Sequence, residues 1–106
     1  MDTYQAKIDV VDDNGGTTDR WVALWFKNGV FIQSGITSPT IQVIKASDGT
    51  DLIASTAMTE IGSTQTFKYD ATGGSRIASG AAYVAKVTAS IDGSTRSWGQ
   101  VVGRDS

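Results

Sequence analysis

At 106 residues the chain is long enough to bury one hydrophobic core and too short for two, so a single domain covering 1–106 is expected. Hydrophobic residues make up 40% and charged residues 19%, a balance that lets burial offset chain entropy and argues against global disorder. The net charge is −2 with Lys and Arg scattered, which leaves no basic stripe for a phosphate backbone, and the absence of cysteine and histidine removes disulfides, thiolate nucleophiles, zinc-thiolate sites and every Ser-His or Cys-His arrangement.

The amino terminus, Met1-Asp2-Thr3-Tyr4-Gln5, has neither a basic start nor an apolar run behind it, and no later run has bilayer-spanning length, so a protein without membrane contact, made and kept in the cytosol or assembled there into something larger, is expected. Tyr4, Ala6, Ile8 and Val10 alternate with Gln5, Lys7 and Asp9, the two-residue period of a half-buried strand. Asp12-Asp13-Asn14-Gly15-Gly16 then favours a turn, because Asp and Asn bond their own backbone and Gly accepts positive φ. A calcium loop would need oxygen ligands at regular alternate positions and a distal bidentate Glu, whereas Glu60 is the chain's single glutamate; no metal site and no cofactor are expected.

Trp21 to Phe26 is apolar on both faces of a strand, with Trp21, Ala23 and Trp25 on one and Val22, Leu24 and Phe26 on the other. One explanation is a central strand whose outer side is covered by a loop or by the amino-terminal arm; the other is contact with a second copy or another protein. Asn28-Gly29 follows as a hairpin signal, and Val30-Phe31-Ile32 returns. Gly35 and Pro39 punctuate a loop, with the proline fixing where the next strand starts. Ile41 and Val43 then pair, across the turn Ser47-Asp48-Gly49-Thr50, with Leu52-Ile53-Ala54.

The stretch Thr56 to Ala71 closes an apolar turn (Ala57, Met58, Ile61, Gly62) and runs into a strand with Phe67, Tyr69 and Ala71 inward and Thr66, Lys68 and Asp70 outward. Ala71-Thr72-Gly73-Gly74-Ser75 reads as a flexible loop without the spacing of a phosphate-binding motif. Tyr83, Ala85, Val87, Ala89 and Ile91 give the strictest alternation in the chain, a core strand expected to pair with the Phe67–Ala71 strand. Asp92-Gly93 turns it, and Thr95 to Val102 returns with Trp98 as core, edge cover or sugar platform.

The tally is seven or eight strands with no stretch of helical period, which predicts an all-β, antiparallel, immunoglobulin-like β-sandwich, with a partly closed barrel as the rival. Acidic pairs such as Asp48 with Asp51, or Asp12 with Asp13, fall in short solvated turns where nothing raises the pKa of an acid partner, so no enzyme is expected.

Two segments carry a resemblance. Trp25-Phe26-Lys27-Asn28-Gly29-Val30-Phe31-Ile32 resembles the strand-hairpin-strand of immunoglobulin-like domains that places an aromatic pair before a Lys-Asn-Gly turn, without the paired cysteines of antibody domains. Ala57-Met58-Thr59-Glu60-Ile61-Gly62, with Phe67-Lys68-Tyr69 and Tyr83-Val84-Ala85, resembles a pattern in small accessory proteins of tailed-phage virions. The spacer Ser63-Thr64-Gln65-Thr66 is longer than in that pattern and the Gly73-Gly74 loop differs. The resemblance implies a non-enzymatic building block assembled in the host cytoplasm into a virion. It would serve as a capsid decoration or cement protein, or as a tail, neck, baseplate or fibre component.

Its partners would be the major capsid protein, other virion proteins and further copies of itself. Trp21, Trp25, Phe31 and Trp98 are the candidate partner-binding side chains. A carbohydrate- or cell-surface-binding module is the alternative of a different class, and would need Trp21, Trp25 and Trp98 exposed and coplanar.

Overall fold

The strand Thr18–Lys27 (β2) sits beside Tyr4–Asp12 (β1) on one side and Phe67–Thr72 (β7) on the other, and its alternation decides which residues are core. Trp21, Ala23 and Trp25 are buried to 1% exposure or less, while Val22, Leu24 and Phe26 on the opposite face are half-buried. Large and small side chains alternate across the ladder: Trp25 lies opposite Ala6, and Ile8 opposite Ala23. The Trp25 indole thereby fits beside a residue that leaves it room, as close packing requires.

The computed structural model describes residues 2–12, 17–78 and 80–103; the expected turn at Asp12–Gly16 and its calcium-loop alternative fall largely on 13–16, outside the described residues. The remaining strands are Val30–Phe31 (β3), Ile36–Lys45 (β4), Asp51–Ala57 (β5), Thr59–Glu60 (β6), Ala82–Ile91 (β8) and Ser94–Gly103 (β9). They form two antiparallel sheets in a sandwich-like arrangement, one ordered β1-β2-β7-β6 with β3 beside β2, the other β5-β4-β8-β9. The two inner faces supply the core, with Ile41, Val43, Tyr83, Ala85, Val87, Ala89 and Ile91 of the second sheet facing the tryptophans of the first.

Among the described residues there are nine strands, beyond the seven or eight of the pattern, because β6 is a two-residue pairing too short to show a period. Both expected two-residue hairpins form, and Asn28 and Gly29 (φ 53° and 81°) and Asp92 and Gly93 (54° and 79°) supply their positive-φ pairs. Two expectations are corrected. The β8 strand pairs with β4 and β9 and not with β7, which pairs with β2 and β6; alternation reports which face is buried and carries nothing about the neighbour. Pro39 lies within β4 and not in a loop before it. The register shifts there between Thr37 and Thr40, Ser38 takes φ 53°, and a bulge has no ladder bond for the missing N–H to break.

Three side chains lock the sandwich where backbone pairing stops. Asp19, fully buried at the start of β2, accepts hydrogen bonds from the Ile77 amide (2.8 Å) and from Arg76 Nε and Nη2 (3.3 and 3.2 Å). Tyr83 Oη accepts from the Ala78 amide at 2.9 Å, so the connection from β7 to β8 is held at consecutive residues. The Gln100 amide on β9 bonds both backbone groups of Ile8 on β1, accepting from its N–H (3.2 Å) and donating to its C=O (2.7 Å). One side chain thus substitutes for a peptide unit and closes the flank between the two sheets.

Candidate interaction surface

The outer face of the five-stranded sheet follows from register. Residues directly opposite one another in a ladder point to the same side, so three rows cross β1, β2 and β7 or β3: Val11–Arg20–Asp70, Asp9–Val22–Lys68, and Gln5–Phe26–Phe31. Between the last two, Lys7 lies opposite Leu24. An apolar stripe, Val22–Leu24–Phe26, therefore runs along the middle of the face. It ends in an edge-to-face aromatic pair, Phe26 and Phe31, whose ring centroids are 6.0 Å apart at 67°.

Charged side chains rail this stripe on both sides. Lys7 and Asp9 pair at 3.8 Å on β1; Asp70 on β7 takes Arg20 Nε at 2.7 Å and Lys68 Nζ at 3.1 Å. The hydrogen bond from Arg20, then that from Lys68, holds the Asp70 carboxyl below the usual aspartate range. No loop is needed to account for the half-burial of Val22 and Leu24. Neighbouring side chains on a pleated sheet stand about 5 Å apart, close enough for aliphatic stems of Lys and Arg to shade them.

At the Lys27 end of β2 a polar corner joins the two sheets. Lys27 Nζ lies 2.9 Å from Asp92 and 3.6 Å from Asp2, and the Tyr4 ring lies beneath the Arg96 guanidinium, 3.5 Å from its centroid. The Tyr4 hydroxyl donates to Asp92, an interaction that raises the Tyr4 pKa and, with Lys27, lowers that of Asp92. Lys27, Val30, Phe31, Ile32, Ile91 and Asp92 line a shallow cleft of about 260 Å³ between corner and face.

The opposite face carries a shorter apolar row. Ile44 on β4, Val84 on β8 and Val101 on β9 stand in line across the four-stranded sheet, and Val101 is 71% exposed. Among the described residues no group of three or more acidic, His or Cys side chains gathers as a metal site would require, and no helix is long and apolar enough to cross a membrane.

Of the four side chains expected to meet a partner, Trp21 and Trp25 do not lie on a surface, since alternation turns both indoles into the core. Trp98 is half-buried and points inward, opposite Val87, with its Nε1 covered. Phe31 alone stands on the outer face. The sequence did not single out Val22, Leu24 and Phe26 as docking residues, although their face of the strand was visible in it; nothing in it marked Val101, Gln100 or Asp19. Comparison of the chain with protein-family models, with curated proteins and with solved structures finds no match.

Proposed function

We propose that this protein is a non-enzymatic structural component of a tailed-phage virion, a decoration or cement protein that sits on the capsid in many copies and binds the major capsid protein. The observation that carries the reading is the aligned row Ile44–Val84–Val101. An aliphatic row ending in a 71% exposed valine on the outer face of a sheet suits attachment to another protein better than it suits solvent. Beside it, the outer strand β5 pairs with β4 on one side only, an edge that an assembly can also use.

The sandwich is read further as immunoglobulin-like. The order β1-β2-β7-β6 corresponds to A-B-E-D of that fold and β4-β8-β9 to C-F-G, with β5 in the place of C′. Tyr83, near the start of β8, bonds the backbone five residues upstream in the manner of the tyrosine corner, and Ala85 stands two residues on, where antibody domains carry the second cysteine. The resemblance of Ala57-Met58-Thr59-Glu60-Ile61-Gly62, with Phe67-Lys68-Tyr69 and Tyr83-Val84-Ala85, to phage accessory proteins supports placing this sandwich in a particle. The carbohydrate alternative is withdrawn, because Trp21 and Trp25 cannot form a platform from inside the core.

The test is co-sedimentation of the purified protein with shells assembled from the capsid protein encoded in the same genome, followed by imaging of the particles. Density repeated over the shell, lost with Val101→Lys, is the expected result. Copies at a single vertex would favour a tail or neck component, and shells that bind neither form, or bind both equally, would end the proposal.

A further inference from the structure

On the outer face of the five-stranded sheet, the charges at the level of Val22 are ordered about the apolar stripe. The row Asp9–Val22–Lys68 reads negative, apolar, positive across the sheet. A second copy turned through 180° about an axis along β2 keeps every residue at the same height and exchanges the two rails. Lys68 of each copy then lies over Asp9 of the other, twice per pair, while Val22, Leu24 and Phe26 meet their own counterparts on the axis. A perpendicular axis through Val22 would stack Asp9 on Asp9 and Lys68 on Lys68. Arg20 meets its counterpart under the first axis, but it lies at the end of the stripe, drawn sideways by Asp70 at 2.7 Å.

We infer that this face is the interface of a two-fold symmetric homodimer, with Asp9 and Lys68 setting the orientation. The inference deepens the reading of this chain as a building block present in many copies, but rests on a different face from the one assigned to the shell. An isologous patch must be complementary to itself, and the arrangement of this face meets that condition.

The area sets the strength. Strands about 4.8 Å apart and a rise of about 3.4 Å per residue give the face roughly 20 by 20 Å with side-chain reach, or about 800 Å² buried by the pair. That lies among weak and transient interfaces, so the isolated protein should pair at about hundreds of micromolar. Neighbouring copies on one scaffold would pair more completely, because attachment raises their local concentration.

Sedimentation equilibrium between about 10 µM and 1 mM, with melting curves to verify folding, tests this on the intact protein and four variants. The wild type should associate, Asp9→Lys and Lys68→Asp should each weaken association about tenfold by placing like charges face to face, and the double variant should recover to within about threefold. Leu24→Gln, which leaves the charges in place, should also weaken it. A wild type that stays monomeric throughout, folded single variants that associate unchanged, or a double variant that fails to recover would each overturn the inference. The last outcome includes a dimer held in another register, such as Lys7 against Asp9. A monomer that still coats shells would sink the dimer and spare the virion reading; a dimer that ignores shells would do the reverse.

Discussion

Replacing Asp19 by Ala probes the join on which the β7-to-β8 connection depends. The carboxylate is fully buried, and its loss takes an acceptor from two donors: the Ile77 amide, itself buried, and the Arg76 guanidinium, whose side chain is only 20% exposed. Removing one partner of a buried pair costs about 3–5 kcal/mol, because the donors that faced it lose a buried, charged acceptor. At about 2.1 cal/mol/K per residue, a chain of 106 residues unfolds with about 0.22 kcal/mol/K, so a loss of ~4 kcal/mol lowers Tm by about 18 °C. Urea titration followed by tryptophan fluorescence suits the measurement, since Trp21 and Trp25 are buried reporters in the core. Adding Arg76→Met to Asp19→Ala should return about half of the loss by removing the mostly buried charge that faced Asp19. An Asp19→Ala protein within about 1 kcal/mol of the wild type, or an Arg76→Met change that adds to the damage, would refute the reasoning.

Gln100→Ala removes both bonds to Ile8 and should cost about 1–3 kcal/mol. It should also leave β1 with an open edge, seen as faster hydrogen exchange at the Ile8 amide and greater aggregation on heating. Tyr83→Phe keeps the ring in the core and deletes the acceptor of the Ala78 amide, for an expected loss of about 1–2 kcal/mol in chemical denaturation and lost protection at Ala78. Asp70 has a lowered pKa in the folded protein, so its contribution is present above the unfolded aspartate value of about 3.9 and is lost as pH falls through the folded value. Stability against pH for wild type and Asp70→Asn should therefore differ by up to about 1 kcal/mol at neutral pH and converge in acid; parallel curves down to pH 2 would contradict this.

Alternation along β2 and β8 announced strands, and the Asn28-Gly29 and Asp92-Gly93 pairs announced the hairpins that join β2 to β3 and β8 to β9. These signals are local: side chains alternate every two residues, and positive φ is tolerated by few residue types. The same signals did not show which apolar face of Trp21–Phe26 was the core, because both read alike until a second sheet lies against one of them. The tryptophans were offered as a partner surface on the strength of residue type, and the packing of Trp25 beside Ala6 placed them in the interior. Phe31 was singled out and stands on the surface, but its neighbour there is Phe26, a pairing set by the register of the β2–β3 ladder.

By itself, then, the order of residues determined an all-β chain, the strands long enough to show a period, and the positions of the tight turns, since each depends on residues within a few positions of one another. Only the tertiary structure decided that β8 lies beside β4, that Asp19 holds the amide of Ile77, and that Gln100 completes the edge of β1. Those partners are 58 and 92 residues apart in the chain for the last two contacts. Nothing in the neighbourhood of Asp19 or Gln100 encodes such a distance; it emerges when two amphipathic sheets bury their apolar faces against each other and the remaining polar groups are bonded by whatever side chain that packing brings within reach.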